Sequence, residues 1–181
     1  GSAADATKLV EDLIKVAEST PLEVQDVQRA SQMLLAFGTD VESVIPTVKM
    51  LGDATLGNKE RFQALSLAYA QTTAAGRLMG QDLLQMINAG FNPLLIISEK
   101  TGLSMLELKN KMQKGAISAE MVAEAFRIAT SEGGKFYNAM ENNMNSFKGS
   151  MSRLKQSVAE TLGDVMKPLF DVIRLEVIPA V

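Results

Sequence analysis

The side chains available for chemistry are restricted from the outset, because the 181 residues include no histidine and no cysteine. These absences exclude Ser-His-Asp and Cys-His nucleophilic sites, disulfides, cysteine-based zinc sites and imidazole metal ligands. Carboxylates are the main candidates left for acid–base chemistry. Glu120 and Glu124 stand one helical turn apart, a spacing that we interpret as a solvated helix face.

The glycines and the remaining notable acid do not form a reactive loop either. Gly76 and Gly80 are not followed by the Lys-Ser/Thr pair that a phosphate loop needs. Asp53 lies in the glycine-flanked stretch 52–57, where an Asx hydrogen bond to the local backbone is the usual role. We therefore predict no catalytic residue, no metal site and no cofactor.

Residues 88–93 read Asn-Ala-Gly-Phe-Asn-Pro and resemble the Glu-Ser-Gly-Phe-Asn-Pro segment of lytic transglycosylases, which cleave peptidoglycan. Those enzymes need a glutamic acid at the first position to protonate the glycosidic oxygen. Asn88 has no proton to donate at neutral pH, and the downstream Gly-Leu-Met-Gln pattern is missing. A helix corner explains the segment better, with Gly90 at positive φ, Asn92 as N-cap and Pro93 at the first helical position.

A second candidate site is a helix-turn-helix pattern over residues 96–115. The helix from Ser104 to Lys114 would be the recognition helix, presenting Lys109, Lys111 and Lys114 to phosphates or bases. Only Gln113 is placed for bidentate base reading. The formal charge of −3 and the pI near 5.1 argue against a general binder of nucleic acid or anionic membranes. A DNA-binding module is kept as the alternative function, with a peptidoglycan-hydrolase-associated domain as the less favoured one.

Helix start and stop signals divide the chain into a series of helices. Capping boxes predict helix starts at Thr20-Pro-Leu-Glu23, Thr39-Asp-Val-Glu42 and Ser104-Met-Leu-Glu107. Asn58 and Ser118 are further predicted N-caps, and residues 52–57 predict a break between the third and fourth helices. No period-2 alternation or Asn-Gly hairpin predicts a strand. The predicted fold is all-α: a compact multi-helix domain followed by a long amphipathic C-terminal helix.

Apolar residues near the carboxyl terminus recur mostly every three or four positions. They predict one long amphipathic helix over residues 147–181, kinked near Pro168, with a near-heptad face of the kind found in coiled coils. The face consists of Phe147, Met151, Leu154, Val158, Leu162, Val165, Leu169 and Val172. It either folds back over the domain or pairs with another chain.

The domain organisation follows from these signals. We interpret residues 1–2 as a cloning scar, residues 3–146 as one helical domain, and residues 147–181 as a helix that leads into the rest of a longer chain. No apolar run approaches the roughly 20 residues that a membrane span needs, and no signal peptide is recognisable.

Six segments, in their order and spacing, resemble the amino-terminal tape measure domain of tailed bacteriophages and prophages. They are Leu51-Gly-Asp-Ala54, Gly57-Asn-Lys-Glu-Arg61, Leu67-Ala-Tyr-Ala-Gln71, Gly76-Arg-Leu-Met-Gly-Gln-Asp-Leu-Leu-Gln85, Ile87-Asn-Ala-Gly-Phe-Asn-Pro93 and Glu132-Gly-Gly134. The similarity runs from about residue 20 to about residue 160.

The resemblance implies a structural protein without catalytic residues. Tape measure proteins are long helical chains in the lumen of the growing tail tube, where their length sets the length of the tail. The implied partners are the tube protein, tail assembly chaperones, tail tip or baseplate proteins, and further copies of the chain. The implied locations are the host cytoplasm during assembly and the tail lumen in the virion, and such proteins are expected to assist DNA entry into the host. Neither a specific nucleic acid nor a small-molecule substrate is expected.

The motif residues are expected to shape backbone corners and close helix contacts. The sharper hypothesis is a docking surface for the tail tip or tube, because Asp82, Gln85 and Asn88 lie three apart along a short helix. The full set of motif residues is Gly52, Asp53, Gly76, Gly80, Asp82, Gln85, Asn88, Gly90, Phe91, Asn92 and Pro93.

Overall fold

The structure, a computed structural model, describes residues 3–146, 148–149 and 151–152. The chain divides into two compact units, residues 1–144 and residues 145–181. Of the predicted C-terminal face, Met151 is helical and exposed. The other seven residues of that face, and the kink near Pro168, lie outside the described residues.

The described part of the chain is helical, which confirms the all-α prediction. Its α-helices are α1 (Ala3–Ser19), α2 (Val24–Ala36), α3 (Val41–Ala54), α4 (Lys59–Ala75), α5 (Gly80–Asn88), α6 (Pro93–Thr101), α7 (Met105–Gln113) and α8 (Ala119–Thr130). Residues 139–146 form a further helical segment. The only β pairing among the described residues is an isolated antiparallel bridge between Arg77 and Ser118.

Three helix starts follow the predicted caps. The Asn58 side chain accepts a hydrogen bond from the Arg61 backbone N–H at 3.0 Å, and α4 begins at the next residue. Ser104 and Glu107 form the complete capping box of α7. The Ser118 hydroxyl accepts from the Met121 N–H at 3.2 Å and starts α8. Each side chain satisfies a backbone donor that has no partner inside its helix.

The first two predicted capping boxes are wrong. The Thr20 hydroxyl donates to the Val16 carbonyl at 2.8 Å, so it serves the end of α1 rather than the start of α2. Leu22 is buried, and α2 begins only at Val24. At the second box, α3 begins after Asp40, whose side chain makes no capping hydrogen bond. A hydroxyl can serve either neighbouring helix, and tertiary packing decides which.

The predicted break at residues 52–57 begins too early, because α3 continues through Gly52 to Ala54. Gly52 is buried, and a Cβ atom there would overlap the side chain of Met140. The glycine therefore provides a close contact inside a helix instead of ending it. The chain turns just afterwards, at Leu56 and Gly57, which both have positive φ.

The core of residues 1–144 is organised around α4, which packs against α2, α3, α5 and α8. Its buried side chains include Phe62, Leu65, Ala68 and Tyr69, which recur every three or four residues and so lie on neighbouring sides of the helix. A helix buried by several neighbours needs apolar or small residues on more than one face.

Candidate functional site

The corner between α5 and α6 is built as its sequence predicts. Gly90 has φ +100°, and the Phe91 N–H donates to the Met86 carbonyl at 2.9 Å. The Asn92 side chain then accepts from the Leu94 N–H at 3.1 Å, while Pro93 is the first residue of α6. A side chain at Gly90 would be strained at this φ. The corner aims two short helices without using any of its residues for catalysis.

Phe91 anchors this corner in the core. Its ring stacks on Phe126 of α8 with the ring centroids 3.8 Å apart, and it lies 6.0 Å from the ring of Phe136. Tyr69 of α4 packs edge-on against Phe126 at 5.4 Å. The apparent motif residue at position 91 is therefore part of an aromatic cluster that joins α4, the α5–α6 corner, α8 and residue 136.

The three polar residues of α5 differ in their exposure. The side chain of Asp82 is buried, and burial raises its pKa, while a hydrogen bond from the Met79 N–H acts in the opposite direction. Gln85 is half-buried and Asn88 is exposed. Asp82 therefore lies on the buried side of α5, and the exposed residues of the helix include Leu84, Ile87 and Asn88, with Gln85 at their edge.

Gly52 and Asp53 hold the segment 139–143 against the end of α3. The Asp53 carboxylate accepts from the Met140 N–H at 2.9 Å, and the Met140 side chain lies over Gly52. The Asn143 side chain donates to the Leu56 carbonyl at 2.9 Å. Burial raises the pKa of Asp53, and the hydrogen bond from the Met140 N–H lowers it in part. Asp53 caps a helical segment far along the chain, in place of the predicted local Asx turn.

The partner residues Met140 and Asn143 are functional parts of this contact that the sequence analysis missed. Each lies 87 residues from the group it contacts. Local spacing and capping rules describe residues a few positions apart, so no local signal identifies these partners.

Gly76 and Gly80 bracket a short extended connection. Gly76 ends α4, and its carbonyl accepts from the Ala119 N–H at 3.0 Å. The Leu78 N–H donates to the Ile117 carbonyl at 2.9 Å. Gly80 is the first residue of α5, with open space where a Cβ atom would lie. These contacts join the α4–α5 connection to the α7–α8 connection.

The α6–α7 pair forms the predicted two-helix corner. The Ser98 hydroxyl donates to the Leu103 carbonyl at 2.6 Å across the turn. Lys109, Lys111 and Lys114 are all exposed. The corner is therefore compatible with either a plain structural turn or a cationic contact surface.

Glu120 and Glu124 form ion pairs on an exposed helix face, in agreement with the prediction. Lys100 lies 2.9 Å from Glu124, and this contact lowers the pKa of the Glu124 carboxyl. Arg127 binds both glutamates, Glu124 at 3.0 Å. Exposed pairs of this kind contribute little to stability, because solvent screens the two charges.

Comparison with known proteins gives one match. A family model described as tape measure protein matches residues 1–167. The chain belongs to the tape measure protein family. This membership supports a structural role of the tape measure chain in a phage tail. No curated protein and no solved structure matches it.

In the part of this tape measure chain that the structure describes, no helix is long and apolar enough to cross a membrane. Within the same residues, no group of three or more His, Cys, Asp or Glu side chains is arranged to hold a metal ion.

Proposed function

We propose that this domain belongs to a tape measure protein that sets tail length as a scaffold inside the tail tube and assists DNA ejection. The match of the family model over residues 1–167 carries this proposal. The partners proposed with it are the tube protein, tail assembly chaperones, tail tip proteins and further copies of the chain. Its locations are the host cytoplasm during assembly and the tail lumen in the virion.

The ruler proposal is tested by tail length, measured by electron microscopy. In a phage that carries this domain, in-frame deletions are placed in the gene outside the codons of residues 1–144. A helix rises about 1.5 Å per residue, so tails are expected to shorten by about 150 Å for each 100 residues removed. A control replaces the deleted stretch with an unrelated helical sequence of the same length and is expected to restore the tail. Tails of unchanged length after deletion would overturn the proposal.

The proposed docking surface for the tail tip or tube is the exposed face of α5. Leu84 is 62% exposed and stands beside Gln85 and Asn88 on one side of the helix. The triple change of these residues to Ala is expected to block tail assembly without unfolding the domain. The matched control changes exposed Glu99 of α6 to Ala. Normal assembly by a folded triple variant would exclude this face as the docking surface.

The second candidate function is DNA binding by the α6–α7 corner, supported by the exposure of Lys109, Lys111 and Lys114. It requires tight duplex binding whose affinity falls steeply as salt rises. Changing the three lysines to Ala would then weaken binding for all sequences, as measured by a gel shift at several salt concentrations. Equal binding by the variant and the unmodified domain would exclude this candidate.

A further inference from the structure

A cleft of about 510 Å³ opens between α3, α4 and α8. Its walls are formed by the start of α3, by Tyr69 and Thr73 of α4, and by one face of α8. The cleft lies entirely within the unit of residues 1–144. Most of its polar groups are hydroxyls and carboxylates.

Two of the hydroxyl side chains on the cleft are more than nine-tenths buried, Tyr69 with 9% and Thr47 with 7% of its surface exposed. Among the described residues, neither hydroxyl has a hydrogen-bond partner. Thr73 and Thr130 on the same cleft donate to the carbonyl four residues earlier. Thr47 makes no such hydrogen bond, and neither does Thr72 of α4, which lies outside the cleft. The oxygens of Tyr69 and Thr47 are not among the side-chain oxygens that are sealed from solvent without a partner, so both are open to the cleft.

Thr39 lines the same cleft beside Asp40, but its oxygen is sealed from solvent and has no partner among the described residues, so a ligand in the cleft does not reach it. Tyr69 and Thr47 are the hydroxyls that remain. Burial raises the pKa of Tyr69, and its phenol is a neutral O–H at pH 7. Two hydroxyls without protein partners therefore line one opening in the described part of the chain, and each can accept a hydrogen bond from a ligand donor.

The charges on the cleft specify the sign of the ligand. Three carboxylates line it, Asp40, Glu42 and Glu120, and the cation among its described lining residues is Arg127. Arg127 is already paired with Glu120 and Glu124. Asp40 and Glu42 have no ion-pair partner among the described residues. A group that carries positive charge and several N–H donors complements both the carboxylates and the hydroxyls.

The extent of the cleft favours a polypeptide over a small cation. A second cleft, of about 810 Å³, runs between α1 and α3. Both clefts are lined by Asp40, Glu42, Ser43 and Pro46 at the start of α3. An extended chain can follow this continuous surface and place one side chain beside the hydroxyls of Tyr69 and Thr47.

We propose that the cleft between α3, α4 and α8 binds the basic side chain, arginine or lysine, of a partner polypeptide. The ligand N–H groups donate to Tyr69 and Thr47, while Asp40 and Glu42 balance the charge. This site is distinct from the α5 face and the α6–α7 corner. A test of the cleft therefore does not depend on the roles proposed for those two surfaces.

The test uses the tyrosine content of the chain, which is two residues. In a Tyr137→Phe variant labelled with ¹³C-tyrosine, Tyr69 gives the only tyrosine ring signals in the NMR spectrum. The probe is a blocked pentapeptide, Ala-Ala-Arg-Ala-Ala, and its control carries citrulline, which is neutral and of nearly the same shape, in place of arginine. The arginine peptide is expected to shift the Tyr69 signals saturably, and to bind about tenfold more tightly than the citrulline peptide or better.

Matched variants separate the cleft from the general acidity of the protein. Glu42→Gln and Thr47→Val are expected to weaken binding several-fold, whereas Glu60→Gln, which removes one exposed charge outside the cleft, is expected to leave it unchanged. Circular dichroism establishes that each variant is folded.

Several results would overturn the proposal. They are unshifted Tyr69 signals at millimolar peptide, equal shifts with the citrulline peptide, and equal weakening by Glu60→Gln. Displacement of the peptide by spermidine at a lower concentration than the peptide itself would assign the cleft to a small polyamine instead.

Discussion

At the residue scale, Asp53 shows how two opposing effects act on one carboxylate. Burial disfavours its charged form, and the Met140 N–H favours it, with burial the larger effect. The folded-state pKa therefore lies above the ordinary value of 3.8. A raised pKa means that the contribution of this group to stability is fully present below pH 3.8 and is lost as the pH rises through the folded-state value.

The first prediction follows from the upward direction of the Asp53 pKa shift. Asp53→Asn keeps an oxygen acceptor for the Met140 N–H and removes the buried charge, so at pH 7 it is expected to be at least as stable as the unmodified domain. Its advantage is expected to shrink as the pH falls toward 3.8. Asp53→Ala loses the acceptor and is expected to lose about 1 kcal/mol. Urea unfolding followed by circular dichroism at several pH values measures both, and an Asn variant as unstable as the Ala variant would contradict this account.

Gly52 gives the second prediction. Gly52→Ala places a methyl group against the end of the buried Met140 side chain, which must shift; this cost is offset in part by the gain of roughly 0.5–1 kcal/mol from Ala in a helix, so a net loss of about 1 kcal/mol of unfolding free energy is expected. Gly80→Ala is the control, since open space surrounds Gly80, and it is expected to be neutral or slightly stabilising. The double variant Gly52→Ala, Met140→Ala removes the overlap, so a double-mutant cycle by urea unfolding is expected to show coupling. Additive effects would exclude a direct contact.

At the element scale, the helices were predictable where a single side chain decides the boundary. Asn58, Ser104 and Ser118 cap helices as their spacing indicates. Prediction failed at Thr20 and Gly52, where a residue that commonly ends or starts a helix serves a neighbouring element instead. Which element such a residue serves depends on the helix that packs beside it. A capping motif of four consecutive residues carries no information about that helix.

The third prediction compares a formed cap with one that does not form. Ser104→Ala is expected to cost about 1 kcal/mol, because the hydroxyl satisfies the Glu107 N–H at the start of α7. Thr39→Ala is expected to leave stability unchanged or raised, because the Thr39 oxygen is buried without a partner among the described residues. Chemical unfolding of the two variants is the measurement. Equal destabilisation would mean that Thr39 caps α3 after all.

At the scale of the whole molecule, the fold class and the family could be read from the sequence, whereas the packing could not. The corner residues Gly90, Asn92 and Pro93 act within a few positions of each other, so their geometry was predictable. The stacking of Phe91 on Phe126 joins residues on separate elements, and no local sequence pattern indicates it. The cleft at Tyr69 was missed for the same reason, since its walls come from three helices.

The fourth prediction tests the aromatic cluster as the centre of the domain. Phe91→Ala removes a buried ring and is expected to cost about 3–5 kcal/mol. Tyr137→Ala, at an exposed aromatic position, is expected to change stability by less than about 0.5 kcal/mol. Thermal unfolding of both variants measures the difference. A Phe91 variant within about 1 kcal/mol of the unmodified domain would mean that the corner is held by its caps alone, because truncation of a well-packed ring costs more than that.

The contact of Gly52 and Asp53 with residues 140–143 also has a consequence for the order of events during synthesis. Its two hydrogen bonds each close a loop of 87 residues. A chain that leaves the ribosome amino terminus first makes the end of α3 long before the residues that cover it. The buried surface at Gly52 therefore stays open to the nascent chain's surroundings until residue 143 has emerged, and the closure of this long loop is among the last steps in the folding of the domain.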